Sequence, residues 1–119
     1  MDHAERHAHW EDLAVPEEVK RAIRDYIEKL QEEIPVSRAI IFGSVAKGTF
    51  DDGSDIDLAV FSDRFEMMSR IDGIAYLLKK ATEYPVDLEP LAFTNKEYDE
   101  RLGIVDEIIR TGIEVENFR

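Results

Sequence analysis

Asp55 and Asp57 stand one residue apart in the stretch "DIDLAVF". On a strand, residues i and i+2 leave the same face, so the two carboxylates enter one volume. Side by side they repel unless a cation lies between them. Hard oxygen ligands on a rigid strand suit Mg2+ or Mn2+. Upstream, Gly43-Ser44 closes the apolar run "AIIF", and "SVAKG" follows as a short helical turn. Exposed backbone N–H groups and the Ser44 hydroxyl would make an anion cradle there. Lys47 adds positive charge, and Gly48 allows close backbone approach. A triphosphate with its oxygens on this loop and its metal on the carboxylates has the geometry of metal-assisted nucleotidyl transfer.

Each part is weak alone. D-x-D is common on solvated strands, and Asp51-Asp52-Gly53 by itself is turn chemistry. Two other phosphate motifs fail. Ala59 stands where D-x-D-x-T needs threonine, and in "GSVAKGT" the lysine precedes the second glycine, unlike a P-loop. The signal lies in the combination of strand, Gly-Ser, Lys-Gly and a second strand carrying D-x-D.

The elements that must position these residues follow from periodicity. Pro16 opens a helix whose stripe is Val19, Ala22, Ile23, Tyr26, Ile27, Leu30 and Ile34, and Pro35 stops it. Arg38 to Phe42 reads as a buried strand, Asp52-Gly53 as the pivot of a turn, and Asp55 to Phe61 as a second strand. On that second strand Ile56, Leu58 and Val60 face away from Asp55, Asp57 and Ala59. Asp63 with Glu66 predicts a capping box for the next helix, with Met67, Ile71, Ile74, Ala75 and Leu78 as its core stripe. A third strand runs from Tyr84 or Pro85 to about Leu91, with Asp87 and Glu89 on one face; its prolines mark strand ends or an edge. Thr94 with Glu97 caps a last helix with the stripe Tyr98, Leu102, Val105 and Ile109, and Gly112 ends it. The fold class is α/β (α+β): one small mixed sheet of three or four strands covered by helices.

The chain has 119 residues and no cysteine, the size of one domain without disulfide or thiolate chemistry. Residues 1–15 read as a loose arm and 16–119 as the domain. The arm carries His3, His7 and His9; His3 and His7 have the spacing of a weak helical metal site, but a solvated tail is the simpler reading. No apolar run is long enough to span a membrane, the N-terminus lacks signal-peptide character, and a cytoplasmic setting is expected. With 15 Lys and Arg against 27 Asp and Glu, the formal net charge is −12. That argues against general nucleic-acid binding through a basic face and favours a basic protein partner.

"GSVAKGTFDDGSDIDLAV" resembles the signature of the DNA polymerase β-like nucleotidyltransferase superfamily, and specifically its minimal nucleotidyltransferases. Ten residues, Val45 to Ser54, separate Ser44 from Asp55, the spacing of that signature. The resemblance covers roughly Ile34 to Phe93. It implies that Gly43 and Ser44 hold nucleotide phosphates and that Asp55 and Asp57 bind the metals. It implies a third carboxylate on the next strand, Asp87 in "VDLEP", which shares a metal and helps deprotonate the attacking hydroxyl. Lys47 stands where many members have arginine, which keeps the charge but not bidentate phosphate contact. Larger members add domains that hold the acceptor, and a chain of this size has no room for one. The resemblance then implies an antitoxin that transfers AMP from ATP to a tyrosine of a HEPN (higher eukaryotes and prokaryotes nucleotide-binding) ribonuclease toxin. A contact-only antitoxin with a vestigial site, or transfer to a small molecule or RNA end, are the alternatives. Oligomerisation is left open by the sequence.

Overall fold

The computed structural model describes residues 9–51 and 53–118. His3 and His7, with their helical metal-site spacing, and Asp52, expected in the turn pivot, lie outside the described residues. The first helix, α1 (Glu17–Gln31), follows Pro16 as expected and buries Val19, Ile23, Tyr26, Ile27 and Leu30. Its stripe recurs every three or four residues, so one face meets the core along its whole length. The helix stops before Pro35. The Gln31 side chain then bonds both the N–H and the carbonyl of Val36, at 3.0 Å each, bracketing the turn. Trp10 and Leu13, within the segment expected as an arm, are buried in the same core as α1.

The sheet has four strands in the order β3-β2-β1-β4. β1 (Arg38–Phe42) and β2 (Ile56–Phe61) pair antiparallel, while β2 and β3 (Leu88–Phe93) pair parallel. The parallel pair needs a crossover, supplied by a 3-10 segment (Asp63–Met67) and α2 (Arg70–Ala81). The fourth strand, β4 (Ile113–Glu114), pairs with β1 on the far edge. β3 starts three or four residues later than its apolar pattern predicts and carries Pro90 inside it. An edge strand tolerates that proline, because one side of its backbone needs no ladder partner.

Three layers result. α1 and α2 cover one face of the sheet, against Ala39, Ile41, Ile56, Leu58 and Val60. α3 (Asn95–Glu100) and α4 (Val105–Thr111) cover part of the other, against Ile40, Ala59, Phe61 and Phe93. The two faces of β2 therefore divide as its alternation predicts. The buried Tyr26 hydroxyl donates to the Leu77 carbonyl at 2.8 Å, tying α1 to α2.

Two helix expectations fail. α2 begins at Arg70 with Ser69 as its cap, and Ser62 caps the preceding 3-10 turn; Asp63 instead accepts from the Asn95 amide at 2.9 Å. With the start displaced, α2 buries Gly73, Leu77 and Ala81, while Met67 and Ile71, expected in the core, are 82% and 77% exposed. The last helix keeps its Thr94–Glu97 capping box but breaks into α3 and α4, because Arg101 and Gly103 adopt positive φ. Leu102 is left exposed by that break.

Candidate active site

β1 delivers the chain into the Gly43 turn at the sheet end where β2 begins. Phe42 is the register partner of Asp57, so the residue after Phe42 must pass close to the Asp57 side chain. Gly43 does so with φ of +76°, a region that disfavours a side chain. A Cβ at Gly43 would overlap Asp57 Oδ2 outright and stand 3.3 Å from its Cγ. The backbone of the phosphate-type turn and the second carboxylate of D-x-D are thus in contact.

The turn itself is one helical coil. Lys47 N–H donates to the carbonyls of Gly43 and Ser44, Gly48 N–H to that of Val45, and Thr49 N–H to that of Ser44. These bonds begin at Lys47, leaving the amides of Ser44, Val45 and Ala46 without a backbone partner among the described residues. The Ser44 side chain is solvent-exposed, and the Thr49 hydroxyl locks the turn by donating to the Ser44 carbonyl at 2.9 Å. Val45, which no sequence signal singled out, is 1% exposed and plugs the turn into the core. Lys47 is exposed and borders a small pocket of about 90 Å3 with Gly43, Glu107, Ile108 and Thr111.

The loop between the turn and β2 is held by Asp51. Its carboxylate accepts from Gly53 N–H at 2.9 Å, and Ser54 Oγ accepts from Asp51 N–H at 2.9 Å. This Asx-type closure returns the chain to Asp55 with the reversal the sequence predicts. Asp55 is exposed and Asp57 half-buried. Burial raises the Asp57 pKa from its ordinary value, and the charge of Asp55 raises it further. None of Asp55, Asp57, Asp87 or Glu89 joins an ion pair among the described residues.

Asp87 lies one residue before β3, and its carbonyl accepts from Ile56 N–H at 2.8 Å. Continuing the Ile56–Leu88 register back by one residue sets Asp87 beside Asp55, while Glu89 is the register partner of Asp57. Asp87 borders a cleft of about 400 Å3 with Phe50, Ser54, Ile56 and Val86. Among the described residues, no three His, Cys, Asp or Glu side chains are gathered as a metal-binding group. Asp55 and Asp57 are near enough for the charge of one to act on the other, and Asp87 stands just before the adjoining strand, level with Asp55. The donor chemistry still fits a hard divalent cation: two oxygen-only ligands, mutually repelling, with no cationic side chain among the described residues paired to them. Glu89, which the sequence pattern puts on the same face as Asp87, is the register partner of Asp57; only the strand pairing reveals it.

A family described as "nucleotidyltransferase domain" matches residues 23–114 of this chain. Among solved structures, the chain is similar to a candidate nucleotidyltransferase from Sulfolobus solfataricus. The TM-score is 0.57 and the identity 21%, over 70% of this chain and 73% of that one. That likeness bears on the fold alone. No curated protein matches the chain in sequence.

Proposed function

This chain belongs to the nucleotidyltransferase domain family, and from that premise we propose that it transfers AMP from ATP to a hydroxyl group of a protein partner. The observation that carries the reading is the contact between Gly43 and Asp57, which joins the open-amide turn to the carboxylate pair. A nucleotidyl donor needs both at once: donors for its phosphate oxygens and carboxylates for its metal.

The amides of Ser44, Val45 and Ala46, with the Ser44 hydroxyl, would bind non-bridging phosphate oxygens, and the exposed Lys47 would add positive charge beside them. Asp55 and Asp57 would hold Mg2+ or Mn2+, with Asp87, just before the adjoining strand, as the third carboxylate. When bound, such an ion polarises the phosphoryl oxygens and stabilises the leaving pyrophosphate. Asp87 would take the proton of the acceptor hydroxyl as its oxygen bonds to the α-phosphorus and pyrophosphate departs. Gly43 positions Asp57 by leaving room for its carboxylate.

The acceptor follows from the resemblance, in which a docked protein presents the hydroxyl. A tyrosine of a HEPN ribonuclease is the acceptor that the resemblance implies, with this chain as its antitoxin. The strongly acidic charge supports a basic, RNA-cutting partner. Intact-mass spectrometry of the HEPN partner, incubated with ATP, Mg2+ and this protein, should show an added AMP and reduced ribonuclease activity. The Asp55→Ala/Asp57→Ala variant should abolish both. Inhibition retained by that variant with no mass change would establish a contact-only antitoxin instead. No mass change and no inhibition would leave a small molecule or an RNA end as the acceptor.

A further inference from the structure

We infer that α2 is a self-association face, on which a second copy of this chain packs antiparallel about a two-fold axis. The helix meets its own core through Gly73, Leu77 and Ala81, with Ile74 packed beside them. A second set of apolar residues lies on another part of the cylinder. Ile71, Ala75 and Leu78 recur at i, i+4 and i+7, which is one stripe. All three are exposed, Ile71 at 77% and Leu78 at 41%. Met67, which ends the 3-10 segment before the helix, is also exposed, at 82%. Isolated surface apolar residues need no explanation, but a continuous helical stripe of them marks a surface that something covers.

The charges beside the stripe point to a second copy as the occupant. Asp72 and Lys79 are seven residues apart, two turns, so they lie along the same edge of the stripe. Both are exposed, and neither joins an ion pair among the described residues. A two-fold axis lying between two antiparallel helices reverses residue order but keeps each edge on its own side. Asp72 of one copy then faces Lys79 of the other, and the pair forms twice. Ala75 falls near the crossing point, where a small side chain lets the backbones approach, and Ile71 meets Leu78 on either side of it. An isologous contact needs a surface complementary to itself, and this edge carries one acid and one base in mirrored positions. The formal charge of −12 on each copy opposes association at long range. The contact therefore belongs to the small, concentration-dependent class of interfaces.

Sedimentation velocity over a wide concentration range tests this. The wild-type protein should pass from monomer to dimer as concentration rises. Ile71→Glu and Leu78→Glu, at positions that face solvent in the monomer, should each weaken dimerisation by roughly tenfold or more while circular dichroism stays native. Asp72→Lys and Lys79→Asp alone should also weaken it, because each sets like charges opposite one another. The double exchange, Asp72→Lys with Lys79→Asp, should restore it. A wild-type protein that stays monomeric up to millimolar concentration would overturn the inference and leave the stripe to a different protein. So would dimerisation that survives both glutamate substitutions, or a folded double exchange that fails to recover.

Discussion

Replacing Gly43 and Gly48 by alanine, one at a time, separates backbone strain from contact with the carboxylate pair. Both glycines have positive φ, +76° and +90°. A side chain in that half of the Ramachandran map costs on the order of 1–3 kcal/mol, so both variants should lose stability by about that much. Their surroundings differ. A Cβ at Gly48 has nothing within 4 Å, whereas a Cβ at Gly43 would occupy the place of Asp57 Oδ2. The Asp57 side chain cannot yield without rotating its carboxylate away from the volume it shares with Asp55. A misplacement of about 1 Å in a reacting group costs on the order of 100-fold in rate. Thermal melts and ATP-dependent transfer to the partner, run on both variants, should therefore diverge. Gly48→Ala should melt a few degrees low and keep most of its activity. Gly43→Ala should melt at least as low and lose about 100-fold in Mg2+-dependent turnover. Equal activity in the two variants would refute the claim that Gly43 serves Asp57, and would reduce both glycines to turn residues.

Asp57→Asn should abolish Mg2+-dependent ATP binding, measured by calorimetry, without loss of stability at pH 7. Burial and then Asp55 raise the Asp57 pKa in the fold, so its ionisation disfavours the folded state. That penalty is present above its folded pKa and disappears as pH falls below its unfolded value. The stability gap between variant and wild type should accordingly shrink on acidification through the carboxylate range, followed by chemical denaturation. Asp87→Ala and Glu89→Ala distinguish the two carboxylates on β3 and its lead-in. The proposed role predicts a large loss of kcat for Asp87→Ala and a small one for Glu89→Ala, and the reverse order would give the third-carboxylate role to the register partner of Asp57. Tyr26→Phe should cost about 1–2 kcal/mol in urea denaturation, because the Leu77 carbonyl keeps its burial and loses its donor. A change within a few tenths of a kcal/mol would mean that water replaces the phenol.

The covalent spacing of this chain determined the outline of the candidate site. Gly43-Ser44 closing one strand and Asp55-x-Asp57 opening the next are local facts, because alternation along a strand and the turn chemistry at Asp51 and Gly53 act over a few residues. The α1 stripe, β1 and the Thr94–Glu97 capping box were legible for the same reason: each rests on neighbours within one or two turns. Tertiary structure decided everything that depends on which element lies beside which. Periodicity alone put Met67, Ile71 and Leu78 in the core, because a stripe says that a face is apolar and not that a neighbour exists to bury it. The helix starts at Arg70 under a Ser69 cap, and the edge of Gly73, Leu77 and Ala81 won the place against β3. The burial of Val45 that anchors the turn, and the pairing of Asp57 with Glu89, likewise arise from segments far apart in sequence. The contact of Gly43 with Asp57 belongs to both levels. The sequence supplied a glycine and an aspartate at a suggestive distance, and the antiparallel register of β1 with β2 placed one against the other.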